Sequence, residues 1–376
     1  MDSNTIRISM LGGSGSGKTS FFSGIIQSMI VNEIKVGTGE NRSSIALNAH
    51  EIRRSNSYFF DESEENGVLV ETLSNASLLA GYLISDDPDV NNGGFGDSTT
   101  DSIEFVFDLM INNIPCCKVV IADYAGELID NPSNEAMRAN LVQLCDNIAD
   151  SDALVVMADS VIVSQHLGNN FVMQKELGAN MINMIFPNIK RVTEKNGRPL
   201  TALVALTKTD SPKIPDMMRA SNFSGISSTF YNEIYSRMFS CLDNNSDSWG
   251  VIPVSAVGKG NVDDENYIVE GADIKPENID IAIVFCIASS LSKILSDKEN
   301  LLSDLGKQYA KIRLALGKQA KQDRKVLNEE IERVKQQKKA LEDCRSAVAM
   351  MNDSFAEAVN NMHRSGTTEL DEVVSR

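Results

Sequence analysis

Apolar and polar positions alternate between two rhythms along the first three quarters of the chain. Ile6 to Leu11 is a short apolar run closed by glycines, which predicts a buried strand feeding a loop. Lys18 to Val31 then carries Phe21, Phe22, Ile25, Ile26 and Met29 at helical spacing. Ile103 to Met110 and Cys117 to Ala122 are apolar runs separated by Asn-Asn-Ile-Pro, the pattern of an antiparallel hairpin. Ala153 to Met157, Ala202 to Leu206 and Val251 to Val254 are three more β-rich runs with helical segments between them. This rhythm predicts an α/β fold with a doubly wound, mostly parallel sheet and one antiparallel edge strand.

Two regions depart from it. Residues 33 to about 98 hold polar stretches, an acidic cluster (Asp61, Glu62, Glu64, Glu65) and a Gly-Gly-Phe-Gly loop, and read as an insertion with a helix from Val68 to Leu83. From Pro276 helical spacing continues almost to Met362. Its apolar seam runs through Leu302, Leu305, Tyr309, Ile312 and Leu316, fades over Gly317 to Arg324, and returns out of register at Leu327. That is one long interrupted helix or a helical hairpin. The expected division is therefore 1–296 for the α/β domain, 297–362 for a helical, coiled-coil-like extension and 363–376 for a tail.

The candidate chemistry sits at the strand ends. Gly12-Gly13-Ser14-Gly15-Ser16-Gly17-Lys18-Thr19-Ser20 follows the first strand and opens the first helix, and it matches G-x-x-x-x-G-K-[ST]. Glycines let the backbone wrap a phosphate with N–H groups pointing inward, and the helix N-terminus adds partial positive charge. Lys18 would reach the β- and γ-phosphates, and Thr19 would place a hydroxyl on Mg²⁺. The strand ending at Ala122 leads into Asp123-Tyr124-Ala125-Gly126, a D-x-x-G string, with Asp123 placed to hold a magnesium water and the Gly126 N–H to meet the γ-phosphate. The strand ending at Leu206 leads into Thr207-Lys208-Thr209-Asp210, which resembles the N/T-K-x-D motif that reads guanine. A carboxylate at Asp210 accepts from both N1–H and the exocyclic amine of guanine, a pair adenine lacks. Ser255-Ala256-Val257 after the next strand looks like the S-A-x loop that braces the base. Thr100, with Thr99 as the alternative, precedes the edge strand at the position of a switch threonine closing over Mg²⁺.

In this order the motifs resemble the Ras-like TRAFAC class of P-loop GTPases over residues 5 to 296, the insertion excepted. The Asp-Tyr-Ala-Gly-Glu string and the insertion look more like bacterial and phage GTPases of the double-GTPase, conflict-system type. The resemblance implies a six-stranded sheet with GTP or GDP and Mg²⁺ at the strands' C-terminal edge. It also implies hydrolysis to GDP and phosphate through Lys18, Thr100, Gly126 and Glu127. Glu127 stands where Ras has the glutamine that orients water. A carboxylate beside a polyanionic phosphate predicts slow turnover. The expected function is a nucleotide-controlled switch; the alternative is a nucleotide-binding scaffold with negligible hydrolysis that assembles through its C-terminal helices.

Charge and cysteines narrow the partners. The net charge of −17 argues against nucleic acid as a bulk partner. Between Lys307 and Lys339, however, eleven Lys/Arg face four Asp/Glu, so this stretch carries +7 and suits a protein partner or self-association. The six cysteines and three histidines form no metal-ligand spacing. The N-terminus lacks a signal-peptide pattern, and the apolar run Ile281 to Leu291 is short for a bilayer span. These features predict a cytoplasmic chain.

Overall fold

The computed structural model describes residues 4–37, 42–55, 68–82, 84, 102–124, 148, 150–166, 168–178, 187, 201–214, 248–265, 267–315 and 317–349. In chain order the strands are β1 (Thr5–Leu11), β2 (Ile34–Val36), β3 (Ser43–Ser55), β4 (Val68–Thr72), β5 (Ser102–Ile111), β6 (Ile114–Asp123), β7 (Ala153–Asp159), β8 (Thr201–Thr207) and β9 (Ser248–Pro253). The α-helices are α1 (Lys18–Ile26), which continues as a π turn over Gln27–Val31, α2 (Asn75–Tyr82), α3 (Ser160–Gln165), α4 (Asn170–Glu176), α5 (Ile279–Ile312) and α6 (Lys318–Ala349).

All nine strands among the described residues join one sheet in the order β2-β3-β5-β6-β1-β7-β8-β9, with β4 paired to β3. The expected count of six is therefore too low, and the antiparallel part is no single edge strand. Strands β6, β1, β7, β8 and β9 run parallel. Strand β5 is antiparallel to β6, and β3 continues the antiparallel part outward to β2 and β4. The extra strands come from the region read as an insertion. Along β3, Ile45, Leu47 and Ile52 are buried, but a bulge between Ala49 and Glu51 breaks the period-2 signal that would have marked a strand. The helix expected from Val68 to Leu83 is instead β4 followed by α2. The β5–β6 hairpin turns on Asn112 and Asn113, both at positive φ (51° and 63°), as a two-residue turn of right-handed twist requires.

The main core lies on one face of the sheet. Ile6, Ile8 and Met10 of β1 and Phe105, Phe107 and Leu109 of β5 meet Phe21, Phe22, Ile25 and Ile26 of α1. Phe22 stacks on Phe105 with ring centroids 3.9 Å apart. The first half of α5 packs here because Ile279, Ala282, Ile283, Cys286, Ile287, Leu291 and Ile294 fall on one stripe at helical spacing. By length and a mean hydropathy of 1.8, α5 could cross a membrane, but 67% of that apolar window is buried in the protein.

Helix α5 runs without interruption through residue 296, so the expected domain boundary falls inside it. The chain reverses between α5 and α6, where Gly317 takes φ 121°, and α6 runs back along α5. Its C-terminal half then reaches the sheet. Ala340, Leu341, Cys344, Ala347 and Val348 are buried in the same core as β1 and β5. Gln337 ties the seam: its Nε2 donates to Pro115 O at 2.6 Å, and its Oε1 accepts from Lys298 Nζ at 2.8 Å. Truncating Leu341 to Ala here would cost about 2–5 kcal/mol.

Candidate functional site

Five parallel strands end on one edge of the sheet, and each delivers part of the site. The register sets Met10 beside Asp123, Asp159 beside Thr207, and Leu206 beside Pro253. Such an edge is where ligands bind in open α/β sheets.

After β1 the chain makes the glycine loop. Gly15 and Gly17 adopt φ 70° and 92°, conformations that a side chain resists. A Cβ on Gly12 would meet Ser16 Oγ at 2.5 Å and Met157 Cβ at 2.9 Å, so the loop lies close against β7. Lys18, 6% exposed, folds over the loop and donates to the carbonyls of Gly12 and Gly13 at 2.7 and 3.0 Å. Ser14 and Gly15 are exposed, while Thr19 and Ser20 are half-buried in the first turn of α1.

At the end of β6, Asp123 is 4% exposed, and its Oδ1 has no hydrogen-bond partner among the described residues. Burial pushes its carboxyl up to about 6, and the charge of Lys18 opposes the rise. The next residue, Tyr124, is fully buried with Arg7 and Glu104 nearby, and burial lifts its phenol to about 12. Arg7 and Glu104 form an ion pair that Arg53 Nη1 joins at 3.8 Å. A buried ring resting by this charged cluster fixes where the D-x-x-G segment leaves the sheet. Gly126, Glu127, Thr99 and Thr100 lie outside the described residues.

The β8 loop is tied in both directions. Thr207 Oγ1 donates to Ser16 O at 2.6 Å, linking this loop directly to the glycine loop. Thr209 Oγ1 donates to Val254 O at 2.7 Å, linking it to the end of β9. Asp210, 7% exposed, accepts from Ser255 Oγ at 2.7 Å. Burial raises its carboxyl and that hydrogen bond lowers it, with a net rise. Ser255 Oγ also accepts from Gly258 N at 2.7 Å, and Ser255 bridges Glu277 through paired backbone bonds of 3.1 and 2.9 Å. Ala256 is half-buried and Val257 fully buried beside it.

Lys208 sits at φ 57°, an uncommon conformation for a side-chain-bearing residue. Its Nζ meets Asp159 Oδ2 at 2.6 Å. Asp159 is 4% exposed and also caps α3, accepting from Val161 N at 2.8 Å. Sequence reasoning missed Asp159. The available signal was an acidic residue directly after an apolar strand, ahead of a helix.

No protein family matches the chain, and no curated protein matches it. Among solved structures it is similar to a chain of the signal recognition particle receptor SRb-GTP/SRX complex from Chaetomium thermophilum, at 11% identity and a TM-score of 0.29, covering 68% of this chain and 92% of that one.

Proposed function

We propose that this chain binds guanine nucleotide with magnesium and acts as a slow GTPase switch. The observation that carries the proposal is the Thr207–Ser16 hydrogen bond, which joins a base-reading loop to a phosphate-wrapping loop on one sheet edge. In this reading the backbone of residues 12–17 and Lys18 hold the phosphates. Lys18 leaves the carbonyls of Gly12 and Gly13 to do so. Asp210, already oriented by Ser255, accepts from the guanine edge, and the stem of Lys208 lies along the base. The loop 255–257 braces it from the other side.

The residues fit magnesium. Asp123 holds a buried oxygen without a partner among the described residues, and Thr19 would supply a hydroxyl. A carboxylate and a hydroxyl with room for phosphate oxygens and water suit this hard cation, which would supply charge neutralisation at the γ-phosphate. Thr99 or Thr100, Gly126 and Glu127 would complete the phosphate end. Glu127 in place of glutamine keeps hydrolysis slow and also favours a second reading, a nucleotide-binding scaffold with negligible turnover.

Calorimetric titration of nucleotide-stripped protein with a GTP analogue, GDP and an ATP analogue in Mg²⁺ tests the binding claim. Selective guanine binding that Asp210→Asn abolishes or moves to xanthine nucleotide supports it. Equal ATP binding, untouched by the substitution, refutes it. Comparing single- and multiple-turnover hydrolysis then separates switch from scaffold.

A further inference from the structure

The helical hairpin is half core and half arm. Beyond Lys298, α5 is exposed except along its seam with α6, and so is α6 before Val334. Basic residues at the margins of the tip and further along α6 pair with acids nearby: Lys307–Asp304, Lys325–Glu329, Arg333–Glu330, Lys335–Glu332 and Lys338–Glu299. The tip is different. Residues 307–326 carry seven Lys/Arg and one Asp, a net +6, leaving −17 − 6 = −23 on the rest of the chain. Among the described residues, Lys311, Arg313, Lys318 and Lys321 make no ion pair. Leu314 at the apex is 85% exposed, and Val326 is 53% exposed.

A complementary surface lies at the other end of the same helix. Residues 261–273, just before α5, contain Asp263, Asp264, Glu265, Glu270 and Asp273 with no Lys or Arg. The segment is ordered by its own bonds: Val262 bridges Ile268, Asp263 Oδ1 accepts from the Glu265 and Tyr267 N–H groups at 2.9 and 2.8 Å, and Asn261 Nδ2 donates to Val257 O and Asp273 O at 2.7 and 2.9 Å. On it Tyr267 and Val269 stand 48% and 43% exposed. Asp273 pairs with Lys275, but Asp263, Asp264, Glu265 and Glu270 form no ion pair among the described residues, so each surface sets unneutralised charge of one sign beside exposed apolar side chains.

The tip cannot reach this segment in its own chain. The 34 residues of α5 form one continuous helix that begins beside the segment and ends at the tip. At 1.5 Å per residue that rod holds them about 50 Å apart. We propose that the arm tip of one copy docks on the 261–273 segment of a second copy, Leu314 seating by Tyr267 and Val269 and the tip cations facing Asp264, Glu265 and Glu270. Because the two surfaces differ, the contact is head-to-tail and builds a chain or a ring of copies. It goes beyond the nucleotide reading and stands without it.

Sedimentation velocity on the full chain at about 50 mM and about 500 mM salt tests this, since screening at the higher salt removes most of the attraction between exposed charges. The expected result is concentration-dependent association at low salt that weakens at least about tenfold at high salt. Lys311→Glu with Arg313→Glu and Lys318→Glu abolishes it, and so does Asp264→Lys with Glu265→Lys and Glu270→Lys. Mixing these two variants restores association, because each keeps the surface the other has lost. Leu314→Asp, at an exposed site that leaves the fold intact, weakens it by itself. A wild type that stays monomeric at low salt overturns the proposal, as does a mixture of the two reversed variants that fails to associate. A monomeric wild type whose tip instead binds phosphatidylserine vesicles, with binding lost in the tip variant, overturns it in favour of a membrane surface.

Discussion

The two ends of the candidate site are built on opposite terms. At the end proposed to hold the base, Thr207, Thr209, Asp210 and Ser255 each hold a hydrogen bond of 2.6–2.7 Å, so the loops are set before any ligand arrives. At the end proposed to hold the phosphates, Asp123 and Ser16 each bury an oxygen that finds no partner among the described residues. A satisfied network adds specificity and rigidity, whereas a buried, unpaired carboxylate costs stability until a cation or proton arrives. Burial raises the carboxyl at both ends, and the difference is that the hydrogen bonds are made at one end and left open at the other.

The strongest way to break the comparison is at the base end. Asp210→Asn should weaken guanine nucleotide binding by about a hundredfold or more, because a buried bidentate partner is lost. Calorimetry reads it, and an unchanged affinity would contradict the base-end assignment. The phosphate end should respond in stability as well as in binding. The Asp123 carboxyl is raised from 3.8 to about 6 in the fold, so the unfolded chain gives up its proton first as pH rises. Stability tied to this group is therefore complete below about pH 4 and lost as pH climbs through about 6. Asp123→Asn should stabilise the nucleotide- and magnesium-free protein by roughly 2–3 kcal/mol at pH 7 and hardly at all at pH 4. Urea unfolding at the two pH values checks this, and the same variant should lose magnesium-dependent nucleotide binding.

Between the ends, Thr207→Val leaves Ser16 O without its donor at nearly constant shape. A loss of about 1 kcal/mol in chemical denaturation is expected, with weaker binding of both GDP and GTP analogue. The smallest effect belongs to Lys208→Met. Its side chain is 41% exposed, so losing the Asp159 pair should change apo stability by at most about 0.5 kcal/mol. Apo destabilisation well beyond that would make the pair structural, and would remove the picture of Lys208 as a side chain free to turn onto a base.

The positions of the candidate loops at the strand ends were legible because their parts are local. A glycine loop between a strand and a helix, and short polar strings after apolar runs, are contiguous in sequence, and β1, β6, β8 and β9 end where those strings begin. Asp159 was not legible, since its role comes from lying across from Thr207 in a neighbouring strand. The tether from Thr207 to Ser16 spans 191 positions, and nothing in either segment announces the other. The sheet's extent was missed for a related reason. Strand β3 is recognisable as a strand through its pairing with β5, while its own pattern is interrupted by a bulge.

The sequence by itself determined the alternation of strands and helices, the glycine loop between β1 and α1, and the apolar stripes of α5 and α6, while leaving open whether these were one interrupted helix or a hairpin. Periodicity and turn chemistry act over a few residues, so they survive in a one-dimensional reading. Only the tertiary structure decided that one end of that hairpin belongs to the core and the other stands out as a charged arm. Both halves carry seams at helical spacing, and a seam says which side of a helix is apolar. What covers that side depends on which strands the chain brings beside it, and that contact lies hundreds of residues away.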